Sequence, residues 1–134
     1  VDTYRFSKTS GLWRLDSICY TTFDHHPNGD FMEFYRLFVT NEQYSLEHVS
    51  QPFLFKTYDP ETSQEIEGWL DAYQWTDYAP HFPDDVVVNV DYAQQYEKSL
   101  ERILVVTTPS EGTYALLHFR YTPHSGWLLV MLEN

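Results

Sequence analysis

The stretch Thr113-Tyr114-Ala115-Leu116-Leu117-His118-Phe119-Arg120-Tyr121-Thr122-Pro123-His124-Ser125-Gly126-Trp127-Leu128-Leu129-Val130-Met131-Leu132 carries the reading of the fold. Its first arm, 113–121, is rich in aromatic and aliphatic residues and reads as a strand. Thr122 to Gly126 holds the Pro and Gly that punctuate a turn, and 127–132 is the return strand. Side chains alternate across a strand. Leu116, His118 and Arg120 therefore share one face, and Leu117, Phe119 and Tyr121 share the other. If the first face lined a cavity, His118 would be a pocket group suited to acid–base work. The outward, structural position is the expected one.

Working upstream, 100–108 is a second apolar run, joined to the first arm by Pro109-Ser110-Glu111-Gly112. Val86-Val87-Val88-Asn89-Val90 is a short β-branched run before it. Consecutive strands joined by short turns make an antiparallel meander. Further upstream the period changes. Phe31, Phe34, Tyr35 and Phe38 fall at i, i+3, i+4 and i+7, one face of a helix. Pro27-Asn28-Gly29 breaks the chain before it, with Asp30 as N-cap and Glu33 as its reciprocal partner. A short helix over 42–48 follows, capped by Thr40 or Asn41 and anchored by Tyr44 and Val49. Residues 52–58 alternate as a strand, with Phe53, Phe55 and Thr57 opposite Leu54, Lys56 and Tyr58. Asp59-Pro60 suits the start of a third helix, with Ile66, Trp69, Leu70 and Tyr73 on its apolar face. Helices first and strands later predict an α+β fold, with helices packed on one face of a curved antiparallel sheet.

The closing hairpin is written a second time near the start of the chain. Tyr4-Arg5-Phe6-Ser7-Lys8-Thr9-Ser10-Gly11 matches Phe119-Arg120-Tyr121-Thr122-Pro123-His124-Ser125-Gly126 at an offset of 115. With Leu12 as an insertion, Trp13 pairs with Trp127, Leu15 with Leu129 and Ile18 with Leu132. The pattern is strand, turn, strand, with Gly where positive φ is needed. Residues 1–23 then read as a β-hairpin like the closing hairpin of a preceding repeat, and 24–134 as the α+β domain proper. Val1 opens the chain without a basic and apolar leader, as expected of a chain whose signal peptide has been removed or of a piece of something longer, and the repeat favours the second.

The chain has 134 residues and a net charge of −12. That length suits one domain with a core of its own. Residues 57–97 hold ten acids and no Lys or Arg, so they carry −10 of the total. The shortage of clustered Lys and Arg argues against a nucleic-acid partner, and the density of aromatics argues against disorder. No apolar run approaches the ~20 residues of a membrane span. Cys19 is the sole cysteine, which removes an internal disulfide and a Cys-rich zinc site. The acids form no calcium loop, and Asp84-Asp85 is followed by Val86. His25-His26 are adjacent imidazoles that point apart. No Gly-rich phosphate loop, nucleophile elbow or zinc helix is present, so no cofactor or metal is expected.

Asp30-Phe31-Met32-Glu33-Phe34-Tyr35-Arg36-Leu37-Phe38, then Thr40-Asn41-Glu42-Gln43-Tyr44-Ser45-Leu46, then Trp69 in an acidic segment and the closing hairpin together resemble a known family. It is a secreted domain family of unknown function from gut bacteria, placed among the nuclear transport factor 2-like proteins. The resemblance covers most of 24–134. It implies a cone-shaped α+β fold, an extracytoplasmic location, periplasmic or cell-envelope associated, and two such units per full protein. It supplies no catalytic residues.

Three functions follow as expectations. The first is a non-catalytic binding or scaffold module for a small molecule, glycan or protein, with Trp69, Tyr73, Asp77, Tyr78, Tyr114 and His118 as ligand-binding candidates. The second is a small isomerase or dehydratase using Asp77, Tyr114 and His118 in a cone pocket. The third is a protein-interaction surface on the acidic aromatic segment 57–97, with Trp69, Trp75 and Tyr78 as one patch.

Overall fold

The computed structural model describes residues 2–22, 26–82, 99–108 and 112–134. The chain divides into two compact units, residues 1–33 and 34–134. The first is built on an antiparallel hairpin of β1 (Asp2–Thr9) and β2 (Leu12–Tyr20). Its two-residue loop has positive φ at both Ser10 (53°) and Gly11 (83°), the twist that suits a tight hairpin.

Helix α1 (Gly29–Thr40) begins one residue before the expected cap. The Asn28 carbonyl accepts the Met32 N–H at 2.9 Å, so Asn28 takes the capping position. Asp30 sits inside the first turn, where its Oδ1 accepts the Phe31 N–H at 2.8 Å. The turn at Pro27 to Gly29 is already helical in direction, because the Gly29 N–H donates to the His26 carbonyl. Helix α2 (Glu42–Glu47) is capped as expected by Asn41, whose side chain accepts the Tyr44 N–H at 3.0 Å.

The second unit holds a five-stranded sheet in the order β4-β3-β7-β6-β5. The strands are β3 (Val49–Tyr58), β4 (Glu65–Leu70), β5 (Glu101–Thr108), β6 (Gly112–Thr122) and β7 (Gly126–Glu133). The meander β5-β6-β7 is antiparallel, while β3 lies parallel to β7. Phe34 and Phe38 of α1 set their rings edge-on against Phe119 of β6, at 5.6 and 5.2 Å between centroids. Leu117, Phe119, Leu129, Leu132 and Phe53 are buried on that face. Trp75 opens a short helix α3 (Trp75–Tyr78) and packs against Phe38, Phe53 and Phe82. This gives Trp75 and Phe82 a core role.

The third helix expected from Asp59 does not form. Asp59 Oδ1 instead accepts the Glu61 and Thr62 N–H groups at 2.8 and 3.2 Å, and the Asp59 N–H donates to the Gln64 carbonyl. That closes a turn with Ser63 at φ 55°. Residues 65–70 then pair with β3, from Phe53↔Leu70 to Tyr58↔Glu65. Pro60 serves a turn as well as it serves a helix start. Gly68 inside the stretch costs a helix about 1 kcal/mol, and β3 would otherwise present a bare edge. Tyr73 lies beyond the strand, in the 3-10 turn Ala72–Gln74. The strand expected over 86–90, His25, Asp84-Asp85 and the 109–111 turn lie outside the described residues.

Candidate functional site

The sheet face opposite the helices is open, and its side chains form rows across the strands. Trp69 on β4 pairs with Leu54 on β3, Leu54 with Met131 on β7, Met131 with His118 on β6, and His118 with Ile103 on β5. One row therefore crosses all five strands. A second row two residues along runs Glu67, Lys56, Glu133, Leu116 and Val105. On the other side of the first row, Arg120 stands opposite Glu101. The first row floors a groove of about 440 Å³ whose rim includes Arg120 and Glu101.

A β-bulge shapes this floor. The β6–β7 register passes from Phe119↔Leu129 to His118↔Met131 and skips Val130. Val130 and Met131 both line the groove, while Leu129 and Leu132 both enter the core. The extra residue thus lets apolar side chains at i and i+3 meet one core.

Charged side chains on this face stand in pairs. His118 Nε2 stands 2.6 Å from Glu133 Oε1, a charge pair in the imidazolium form. The Arg120 guanidinium meets Glu101 Oε1 through Nε and a terminal nitrogen, each at 3.1 Å. Lys56 Nζ lies 3.2 Å from Glu65 and 3.6 Å from Glu67. The hydrogen bond to Glu65 and the charges around it hold the ammonium pKa above its ordinary value. An exposed indole beside an aliphatic floor, with fixed donors and acceptors on the rim, can stack on a planar or ring-shaped ligand and orient its polar edges.

Of the six candidates, Trp69 and His118 line this groove. The other four do not. Tyr73 projects into solvent and Tyr78 rests its ring on Phe55. Asp77 is exposed on α3. The β5–β6 register skips Tyr114, and its hydroxyl accepts the His81 N–H at 3.2 Å. Asp77, Tyr114 and His118 are therefore not brought together. A second cavity, beside Phe38 and Trp75, holds none of the three. Trp75 is buried, so Trp69, Trp75 and Tyr78 do not form one exposed patch. Glu133 was not among the sequence candidates. Its only signal was its place at the end of the last strand, two residues beyond Met131 and on the same face.

No helix among the described residues is long and apolar enough to cross a membrane. No curated protein matches the chain. A solved structure described as an NTF2-like protein from Bacteroides fragilis NCTC 9343 is similar, with a TM-score of 0.79 and 30% identity. The likeness covers 98% of this chain and 58% of that one, so the chain spans little more than half the length of its structural relative. Residues 1–134 match the domain of unknown function DUF4348 along their whole length. The chain belongs to that family, and its fold is nuclear transport factor 2-like.

Proposed function

We propose that the chain is a non-catalytic binding module of the extracytoplasmic space, taking its ligand on the open sheet face. The observation that carries this reading is the unbroken row Trp69, Leu54, Met131, His118, Ile103, with an exposed indole at one end. The ligand class is a small glycan or another compact molecule with one apolar face, since the rim groups are already paired and can be shared without new charge burial. The resemblance to a secreted family supports the location. In the same reading, residues 1–23 are the closing hairpin of a preceding repeat and 24–134 are the module itself.

The test is a thermal-shift screen against sugars, peptides, lipids and divalent ions, because any ligand of the folded state raises the midpoint. One class should shift the wild type, and Trp69→Ala should abolish that shift while leaving the unliganded midpoint within about 2 °C. A flat response to every class would replace the binding module with a scaffold. Turnover of a screened compound would revive the enzyme reading.

A further inference from the structure

The hairpin of the first unit is amphipathic, and among the described residues its apolar face is exposed, with the Lys8 ammonium 5.8 Å from the Trp13 ring centroid. β1 pairs Tyr4 with Ile18, Phe6 with Leu15 and Lys8 with Trp13. Cross-strand partners share a face, so these five apolar side chains lie together. They are 54% (Tyr4), 41% (Ile18), 58% (Phe6), 48% (Leu15) and 68% (Trp13) exposed. The opposite face carries Thr3, Arg5, Ser7, Arg14 and Ser17, with Cys19 opposite Thr3 and Leu12 beside the turn. A two-stranded ribbon alone is marginal in water.

Counted from the turn, this ribbon is β6–β7 again. Phe6↔Leu15 stands where Phe119↔Leu129 stands, and Tyr4↔Ile18 where Leu117↔Leu132 stands. Trp13 stands where Trp127 does. The registers break at the same place: β1–β2 skips Asp16, the counterpart of Val130. Asp16 accepts a hydrogen bond from Ser7 on the polar face, as Val130 lines the open face. A bulge there turns Leu15 and Ile18 to the same face, as the bulge at Val130 turns Leu129 and Leu132 into one core. In the second unit, β7 has a parallel neighbour on its free side and β6 an antiparallel one. The Leu129 and Asn134 N–H groups donate to the His48 and Lys56 carbonyls, and the Tyr121 N–H to the Leu100 carbonyl. Their counterparts on the first hairpin are Leu15, Tyr20 and Lys8.

We infer that β1 and β2 are the two inner strands of an incomplete five-stranded sheet, completed by a preceding copy of this fold in the same polypeptide. That copy supplies a parallel strand to the free edge of β2, an antiparallel strand to the free edge of β1, and an aromatic-bearing helix to the face of Phe6, Trp13, Leu15 and Ile18. The inference rests on the tandem reading above and adds the surfaces through which the sheet is completed. The structural relative, which includes the hairpin in its match and extends for roughly two-fifths of its length beyond it, has room for such a copy.

Amide hydrogen exchange tests it, on the intact natural polypeptide and on residues 1–134. In the intact polypeptide the Leu15, Tyr20 and Lys8 amides should exchange at least ~100-fold more slowly than in 1–134. Trp13→Lys, or Leu15→Ser should the first disturb folding, should erase that gain, and Arg14→Ser on the polar face should keep it. Equal rates in the two samples would overturn the inference. So would protection within 1–134 that grows with its concentration, which would make a second chain the occupant. If the intact polypeptide has no protected helix outside 1–134, the tandem reading itself falls. If it has one and the three edge amides remain fast, the repeat stands and the completed sheet does not.

Discussion

The two hairpins β1–β2 and β6–β7 carry the same side-chain pattern with opposite burial. Leu129 and Leu132 are inaccessible to solvent, while Leu15 and Ile18 lie open. Pattern and register are properties of the strands and their turn. Burial is a property of what stands opposite. Phe119 is buried because Phe34 and Phe38 meet it edge-on; Phe6 has the same register position and no such partners on its face within β1–β2. The comparison separates what a hairpin specifies for itself from what it takes from its neighbours.

Matched truncations should break the symmetry most widely. Leu129→Ala removes a fully buried side chain and should cost about 2–5 kcal/mol. Leu15→Ala in residues 1–134 should stay within about 0.5 kcal/mol, as an exposed substitution does. Urea unfolding of each variant reads both numbers. Equal costs would mean that Leu15 is covered in solution. In the intact polypeptide the completed-sheet proposal raises the Leu15→Ala cost toward that of Leu129→Ala.

The turn glycines give a smaller contrast. Gly11 and Gly126 both have positive φ, at 83° and 69°, and a Cβ at either would meet open space. The expected cost of alanine is backbone strain alone, about 1–2 kcal/mol. Gly126→Ala should lower the unfolding free energy of the second unit by that amount. Gly11→Ala should speed amide exchange in β1 and β2 and leave the second unit unchanged. A shift in the second unit's midpoint on Gly11→Ala would show the two units to unfold as one.

The same pair of hairpins marks how far the sequence could be read. The β2 arm aligns with β7 residue by residue, Trp13 with Trp127 through Ile18 with Leu132, because both run outward from the turn with the same bulge. The β1 arm does not. The string match pairs Tyr4 with Phe119 by giving the first loop one extra residue, Leu12, whereas that loop is one residue shorter, two residues between Thr9 and Leu12 against three between Thr122 and Gly126. Together these slide the true counterpart by two residues, to Phe6. Loop length is a small term in a string comparison and sets the register in space. The helix expected over 59–73 failed for a related reason: Ile66, Trp69, Leu70 and Tyr73 satisfy a helical period, and a side-chain-closed turn at Asp59 with a waiting β3 edge outweighed it. At the site, the faces of Trp69's partner Leu54 and of His118 followed from strand alternation. Glu133 was hidden because alternation breaks at Val130, and no local signal marks a bulge.

The smallest expected effect concerns a third hairpin, β3–β4, whose turn is held by a carboxylate where the other two place a glycine at positive φ. Asp59 accepts backbone hydrogen bonds from Glu61 and then Thr62, and these hold its carboxyl pKa below the ordinary 3.8. The unfolded chain binds that proton more readily than the folded one. The stability Asp59 contributes is therefore fully present above the unfolded pKa and is lost as pH falls through the lowered folded value. Asp59 is only half-buried, at a surface turn, so the change is local and modest. Amide exchange at Glu61 and Thr62 should quicken, after correction for intrinsic rates, as pH falls below the ordinary aspartate value of about 4, while the Ser10-Gly11 turn shows no matching step. Asp59→Asn keeps a side-chain acceptor without the charge and should remove the step. Persistence of the step in Asp59→Asn would assign it to another carboxylate, and its absence in the wild type would mean that the β3–β4 turn is held without the Asp59 charge.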